Sequence, residues 1–419
     1  MVSLKKLNFE ATLIALIPLF AIFSIFFFEL CLFIVTVLFL TEIIKKKDFS
    51  TFDNLFTKIF IFFYLYLIIR FLFSDFVTHE FISIFFYFRY ALYVLAIFYF
   101  LKKYSYLEEY FLIVTIFAFF LLLFDGFFQF FFGKNIFGYL PVNQRITSFF
   151  NDESILGSYL VKFLPFIYLF MFKNLNNQKI LICLLITLIA TNILIFLSGE
   201  RAAFFSMLLL TLYFIFMVKK FKFFKIIFFT ISIISIIAIF FLNENVQLRY
   251  LQTIKELKKS DYWVNNKILD REYTIGNYYI ISPTHNNYYI TAYRMFLDNK
   301  IFGQGPKSFK FLCNDERFKI NKWSCSTHPH NYYIQLLAET GLIGFIVIFS
   351  IFLFTLVRCL KILFDFNKNF SFIEICMLSF FLINFWPLTS TGNFFNNWIS
   401  ILIYIPISFY LFYKDKNDF

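Results

Sequence analysis

The sequence predicts an all-α polytopic membrane protein with about twelve transmembrane helices and one large loop outside the cytoplasm. Three observations predict it. Of 419 residues, 60% are apolar and 15% charged, too little polar surface to clothe a soluble core of this length. The apolar residues come in unbroken runs close to the roughly 20 residues a helix needs to cross a bilayer. Basic residues are sorted between alternate loops: Lys45–Lys47, Lys102–Lys103 and Lys219–Lys220 crowd one set, while the short loops opposite hold only Lys134, Arg145 and Arg201.

Along the chain, twelve spans fall at residues 11–28, 30–44, 56–73, 82–101, 109–132, 155–172, 180–197, 202–218, 224–242, 333–357, 371–388 and 396–413. The first two share a tight turn at Glu29 and also suit a re-entrant pair. By the positive-inside rule both termini are cytoplasmic and residues 243–331 lie outside, as expected for a bacterial inner membrane protein. The chain then divides into a membrane unit of spans 1–9 (residues 1–242), a periplasmic loop with short helices between spans 9 and 10 (243–331), and a membrane unit of spans 10–12 (332–419). The first apolar run lacks a small-residue cleavage site, so it reads as an anchor. A formal charge of +12 would suggest nucleic acid in a soluble protein; beside the spans it points to the bilayer instead. The 73 Phe residues fit codon bias and a lipid-facing surface, and say nothing of function.

The loop begins as a helix, Asn243 to Lys259, with Leu248, Leu251, Ile254 and Leu257 at helical spacing. An aperiodic Tyr- and Asn-rich stretch follows from Tyr262 to Tyr289, then a second helix from Ile290 to Asn299, ended by the turn Gly303–Pro306. The string NYYI recurs at Asn277, Asn287 and Asn331 as a matter of composition, which makes His285 a decoy for His330. Cys313 and Cys325 lie together in this loop, where an oxidising compartment permits a disulfide. Cys31, Cys183, Cys359 and Cys376 lie in or at the ends of spans and read as packing residues.

Four histidines are present: His79, His285, His328 and His330. The last two lie in STHPHNYYIQLLAETGLIGF, where the loop enters span 10. Pro329 holds its predecessor extended, Asn331 suits the N-cap, and Asn331, Gln335 and Glu339 share one helix face. A histidine there is placed to act as a base beside an anion site, or merely to cap the helix at the interface. LSGERAAF (Leu197–Phe204) puts Gly199 in a turn and Glu200 and Arg201 at the start of span 8. Arg145 stands before span 6, and Arg294 lies on the second loop helix. The starts of spans 6, 8 and 10 all face outwards and each carries an Arg or a His. Helix N-termini and guanidinium groups together make an anion site without metal, suited to a lipid-linked diphosphate. Each arginine alone reads equally as one that snorkels to headgroups. Zinc on Cys313, Cys325, His328 and His330 matches no standard spacing, and no metal or cofactor is expected. Inside the spans, Arg70, Arg89, Asp125 and Lys162 are costly unless paired; Arg70 and Asp125 are placed to line the same cavity.

These residues resemble the O-antigen ligase/polymerase family of bacterial membrane glycosyltransferases. The resemblance rests on SGERAAF, YRMFLDNKIFGQGPKSF and HPHNYYIQLLAETGLIGF, in that order, and covers roughly residues 140–350. It implies about twelve spans and transfer of a glycan from undecaprenyl diphosphate to an acceptor hydroxyl at the periplasmic face, without metal. It further implies His330 as the base, Arg201, Arg294 and Arg145 as diphosphate ligands, and His328, Asn331, Glu339 and Glu200 as supporting residues. The favoured job is an O-antigen ligase acting on lipid A–core; a polymerase joining repeat units and a protein O-oligosaccharyltransferase use the same motifs. A polysaccharide transporter or flippase also has about twelve spans, but usually shows internal repeats and broken helices, and the sequence has no obvious repeat or paired Gly/Pro interruptions.

Overall fold

The computed structural model describes residues 8–73, 77–219, 222–257, 282–364 and 370–416, and among these the only pairing outside helices is the single bridge Val142–Arg145. The stretch from Tyr262 to Ile281 and the side chain of His79 lie outside the described residues.

The helices are α1 (Phe9–Ala15), α2 (Ile17–Phe23), α3 (Ile25–Lys46), α4 (Leu55–Leu72), α5 (Val77–Phe85), α6 (Arg89–Lys103), α7 (Leu107–Phe132), α8 (Leu156–Lys173), α9 (Gln178–Ser198), α10 (Arg201–Met217), α11 (Lys222–Leu242), α12 (Glu244–Leu257), α13 (Pro283–Asp298), α14 (Phe309–Leu312), α15 (Tyr332–Phe364), α16 (Phe372–Asn384) and α17 (Asn397–Asp415). Among the described residues eight segments are long and apolar enough to cross a membrane: α3, α4, Phe81–Lys103, α7, α8, α9, Lys225–Leu242 and α15; α10 and α16 are apolar but shorter. The chain is a multi-pass helical membrane protein. α7, α8, α16 and α17 meet around Phe166, whose ring lies 5.0 Å from Phe111, 4.4 Å from Phe380 and 4.9 Å from Phe409.

Several boundaries depart from the expected ones. No span runs over 11–28; α1 and α2 are seven residues each, and the break falls at Ser24 rather than Glu29. Ser24 is extended and its Oγ accepts from Phe27 N (3.4 Å), so it caps α3, which continues through Glu29. Glu29 stays in the helix because Arg89 lies 3.6 Å away and pairs with it. Asp125 is fully buried, and it and Arg70 do separate structural jobs described below. The spans are also less regular than the sequence suggested: Pro165 sits inside α8, Pro406 inside α17, and α15 kinks at Gly341.

The loop helix α13 starts seven residues before the expected Ile290. Ser282 Oγ accepts from His285 N and Pro283 takes the first helical turn, where its missing N–H costs nothing. Behind α13, two glycines interlock. Gly303 (φ +67) lies against the backbone of residues 339–341, and Gly341 (φ +62) lies against Ile301 and Phe302, leaving no room for a Cβ on either. Backbone bonds close the lock: Gln304 N to Ala338 O (2.9 Å), Gly305 N to Glu339 O (2.8 Å) and Leu342 N to Lys300 O (2.9 Å). From α4, Arg70 Nε donates to Phe302 O (3.0 Å) and Tyr66 Oη to Thr340 O (2.5 Å), so Arg70 clamps this turn.

Candidate functional site

The site gathers at one end of the bundle, where the starts of α8, α10, α13 and α15 come together. α9 ends at Gly199 (φ +65), a left-handed position that favours glycine, and α10 begins at Arg201. Between them Glu200 accepts from Gly157 N (2.5 Å), Ser158 N (3.0 Å) and Ser158 Oγ (2.6 Å), so one carboxylate satisfies orphan donors at the start of α8 and ties it to α10. Burial pushes this carboxyl up to about 7 against the pull of its three donors. Gly157 permits the approach, since a Cβ there would meet Ser198 Oγ at 2.7 Å and Ala203 Cβ at 3.0 Å.

Arg145 is presented by a tight hairpin. Val142 and Arg145 exchange backbone hydrogen bonds (3.2 and 2.9 Å) around Asn143 and Gln144, both at positive φ as a type I′ turn requires. α7 anchors this loop from below: Asp125 accepts from Ile136 N (2.9 Å) and Ser148 Oγ (2.6 Å), and Gln129 Oε1 from Thr147 N (2.9 Å) and Ser148 N (2.8 Å). An intramembrane aspartate is thus affordable because backbone and hydroxyl donors surround it.

A third guanidinium arrives from α12. Leu248 and Leu251, the spacing that foretold this helix, point outwards and are exposed, while its other face docks. Tyr250 stacks on Phe196 (4.7 Å) and Arg249 donates to Asn143 O (2.6 Å) while pressing on Gly199. Burial, then the nearby charge of Arg145, and more weakly that of Arg201, hold Arg249 below its ordinary pKa. Arg249 therefore lies within reach of the charges of both Arg145 and Arg201.

Beside them lie three imidazoles. The ring of His330 is 4.1 Å from His328 and 5.1 Å from His285, with Tyr288 at 5.6 Å. His330 has φ +62, an uncommon conformation for a non-glycine residue, held by Thr391 N donating to its carbonyl (2.9 Å). Its Nε2 is 3.2 Å from Ser326 Oγ. His328 Nε2 donates to Thr391 O (3.3 Å), leaving Nδ1 to accept from Thr327 Oγ1 (2.9 Å). His285 sits between Ser282 Oγ (2.6 Å) and Ser390 Oγ (3.4 Å). Burial pushes His285 and His328 down to about 4, helped by neighbouring imidazoles and, for His285, by Arg201; burial alone lowers His330. All three are neutral at pH 7.

The polar face of α15 fixes the segment that carries His330. Asn331 Oδ1 accepts from Tyr333 N (3.0 Å) and its Nδ2 donates to Pro387 O (2.8 Å). Gln335 bridges Glu339 and Asn393 at 3.0 Å each, and Glu339 accepts from Lys307 N (3.0 Å) and Phe309 N (3.2 Å). Cys313 and Cys325 are joined, with Cα atoms 5.1 Å apart, so their sulfurs bind each other rather than an ion.

Of the residues singled out in the sequence, Arg145, Arg201, His328 and His330 share this end of the molecule, and Glu200, Asn331 and Glu339 hold its elements in place. Arg294 is placed differently. It follows His285 by nine residues on α13, about two and a half turns, so it lies on the opposite face, where NH1 donates to Lys319 O (2.9 Å). Sequence reasoning missed Arg249 and took His285 for a decoy. The signal for His285 was Ser282-Pro283, an N-cap followed by proline at the first helical position. The sequence carries no comparable signal for Arg249, whose face is chosen by the docking of α12.

No curated protein matches the chain. A family model does: the one described as O-antigen ligase matches residues 182–349. That stretch begins in α9 and contains the SGER turn, Arg249, His285 and the His328–Glu339 segment. Across it the chain is similar to the O-antigen ligase family, a family of glycosyltransferase-type enzymes.

Proposed function

We propose that this protein transfers a glycan from undecaprenyl diphosphate to an acceptor hydroxyl at the periplasmic face of a bacterial inner membrane, as an O-antigen ligase with lipid A–core as acceptor. One observation carries the reading: three guanidinium groups and three neutral imidazoles meet at one end of the bundle. Three like charges brought together make a strong potential for a multivalent anion, and the N-terminus of α10 adds to it. In the proposed displacement, neutral His330 takes the proton of the acceptor hydroxyl as its oxygen attacks the anomeric carbon. The bond from that carbon to the diphosphate breaks, and its electron pair leaves with the diphosphate. Arg201, Arg145 and Arg249 stabilise the charge that grows there, so no metal is required. Arg294, on the far face of α13, steadies the disulfide-closed segment through Lys319.

The lipopolysaccharide profile of a deletion strain tests the assignment. Lipid A–core without any O-antigen, restored by the wild-type gene but not by the His330→Ala form, is the expected result. A ladder stopped at one repeat unit would make the protein a polymerase, and an unchanged profile would overturn both.

A further inference from the structure

A cavity of about 300 Å³, its wall apolar with polar groups set into it, opens next to the histidines, between α8, α10, α16 and the segment 385–396. It shares walls with the site already described. Ser158 lines it and also bonds Glu200; Ser390 and Thr391 line it and also contact His285 and His328. Its size is at the lower end for ligand pockets, roughly 300–1,000 Å³.

The lining is unusual for membrane depth. Lys162 lies six residues into α8, about 9 Å along the helix, and Nζ donates to Asn384 Oδ1 (2.5 Å). An ammonium group has three donors, and among the described residues Asn384 is the one acceptor it meets. The hydroxyls of Thr389 and Thr391 are buried with no hydrogen-bond partner among the described residues. Buried donors without partners are costly, and a cation inside a span more so, unless something enters to satisfy them. Ser206 and Asn396 add further hydroxyl and amide groups, and the indole of Trp398 supplies an aromatic face. Glu153, the other charged residue of the lining, is exposed, so water screens it.

We propose that this cavity is a saccharide subsite that takes an acidic sugar, with Lys162 binding its carboxylate and Thr389 and Thr391 its hydroxyls. Hydroxyl and amide groups around an aromatic face are what a sugar ring needs. A single ammonium matches a single carboxylate, whereas the diphosphate is matched by the three arginines next door. The inference rests on the glycosyl-transfer reading and deepens it by naming a class of glycan.

The test uses full-length protein in lipid nanodiscs and measures binding of two probes, a hyaluronan tetrasaccharide (uronic acid on alternate rings) and neutral chitotetraose. The wild type should prefer the acidic probe by about tenfold, a difference of ~1.4 kcal/mol. Lys162→Met should erase the preference, and Thr389→Val should weaken both probes while keeping it. Equal affinities in the wild type, a preference surviving in Lys162→Met, or displacement of the acidic probe by inorganic pyrophosphate would each overturn the proposal. If Lys162→Met does not assemble, the wild-type comparison and Thr389→Val decide alone. Binding needs no turnover, so the two readings fail separately: an acid preference without glycan transfer removes the proposed reaction, and transfer without the preference removes only the subsite.

Discussion

The two ends of the bundle treat charge in opposite ways. At one end, cations and carboxylates neutralise each other across helices. Glu42 of α3 takes Lys103 of α6, Glu108 of α7 takes Lys173 of α8 and Tyr413 of α17, Lys102 reaches Asp415 (2.9 Å), and Arg358 of α15 takes Glu374 of α16. At the other end Arg145, Arg201 and Arg249 approach one another beside neutral imidazoles. Cross-linking pairs are what a bundle uses to set helix positions, whereas a gathering of guanidinium groups is what attracts a multivalent anion. The comparison assigns stability to the first end and chemistry to the second.

The largest effect should come from the chemical end. His330→Ala should lower transfer by about 10²–10⁴-fold, the usual worth of a positioned base, with protein abundance in the membrane unchanged. Retention of full transfer would remove the base assignment. Next, Arg249→Ala should cost about 10–10²-fold, and Arg294→Ala less than about threefold, because only the former shares the neighbourhood of Arg201. The reverse ranking, in purified protein with lipid-linked donor, would return Arg294 to the diphosphate and break the reading of α13's faces.

At the paired end the prediction changes kind. Glu374→Gln leaves Arg358 without its carboxylate. Glu374 is 3% exposed and Arg358 34%, so part of the cost is screened, and a loss on the order of 2 kcal/mol is expected. Thermal unfolding in detergent should shift down by several degrees while the rate per folded molecule stays the same. A matching loss of rate would mean that the two ends are coupled.

How much of this was legible beforehand follows from the range of the interactions. Local signals read well: apolar runs gave most of the spans, Gly199 gave the turn before α10, and Asn331 with Gln335 and Glu339 gave a polar face. What the sequence did not disclose depends on tertiary contact. Leucine spacing announced α12, yet docking turned Leu248 and Leu251 outwards and Arg249 inwards. His285 resembled an accident of composition because its importance comes from Ser390 and His330, 105 and 45 residues away. Asp125 and Arg70 were read as cavity-lining charges, since nothing local shows that one holds a loop by its backbone N–H groups and the other a glycine turn by its carbonyls.

The smallest effect should be on pH, and the imidazoles of the chemical end set its window. His285 and His328 are held near 4 and His330 below 6.5, so the folded chain keeps them neutral where the unfolded chain protonates them. Between about 6.5 and 4 the unfolded state therefore binds more protons, and stability falls as pH drops through that window, levelling near 4. Transfer should also fall, with its acid limb below 6.5, because protonated His330 cannot accept the hydroxyl proton. A pH series on His330→Ala and on the wild type, following both rate and unfolding, checks both limbs. An acid limb above 6.5 would mean that His330 is not held neutral by burial, and the base would have to be sought elsewhere.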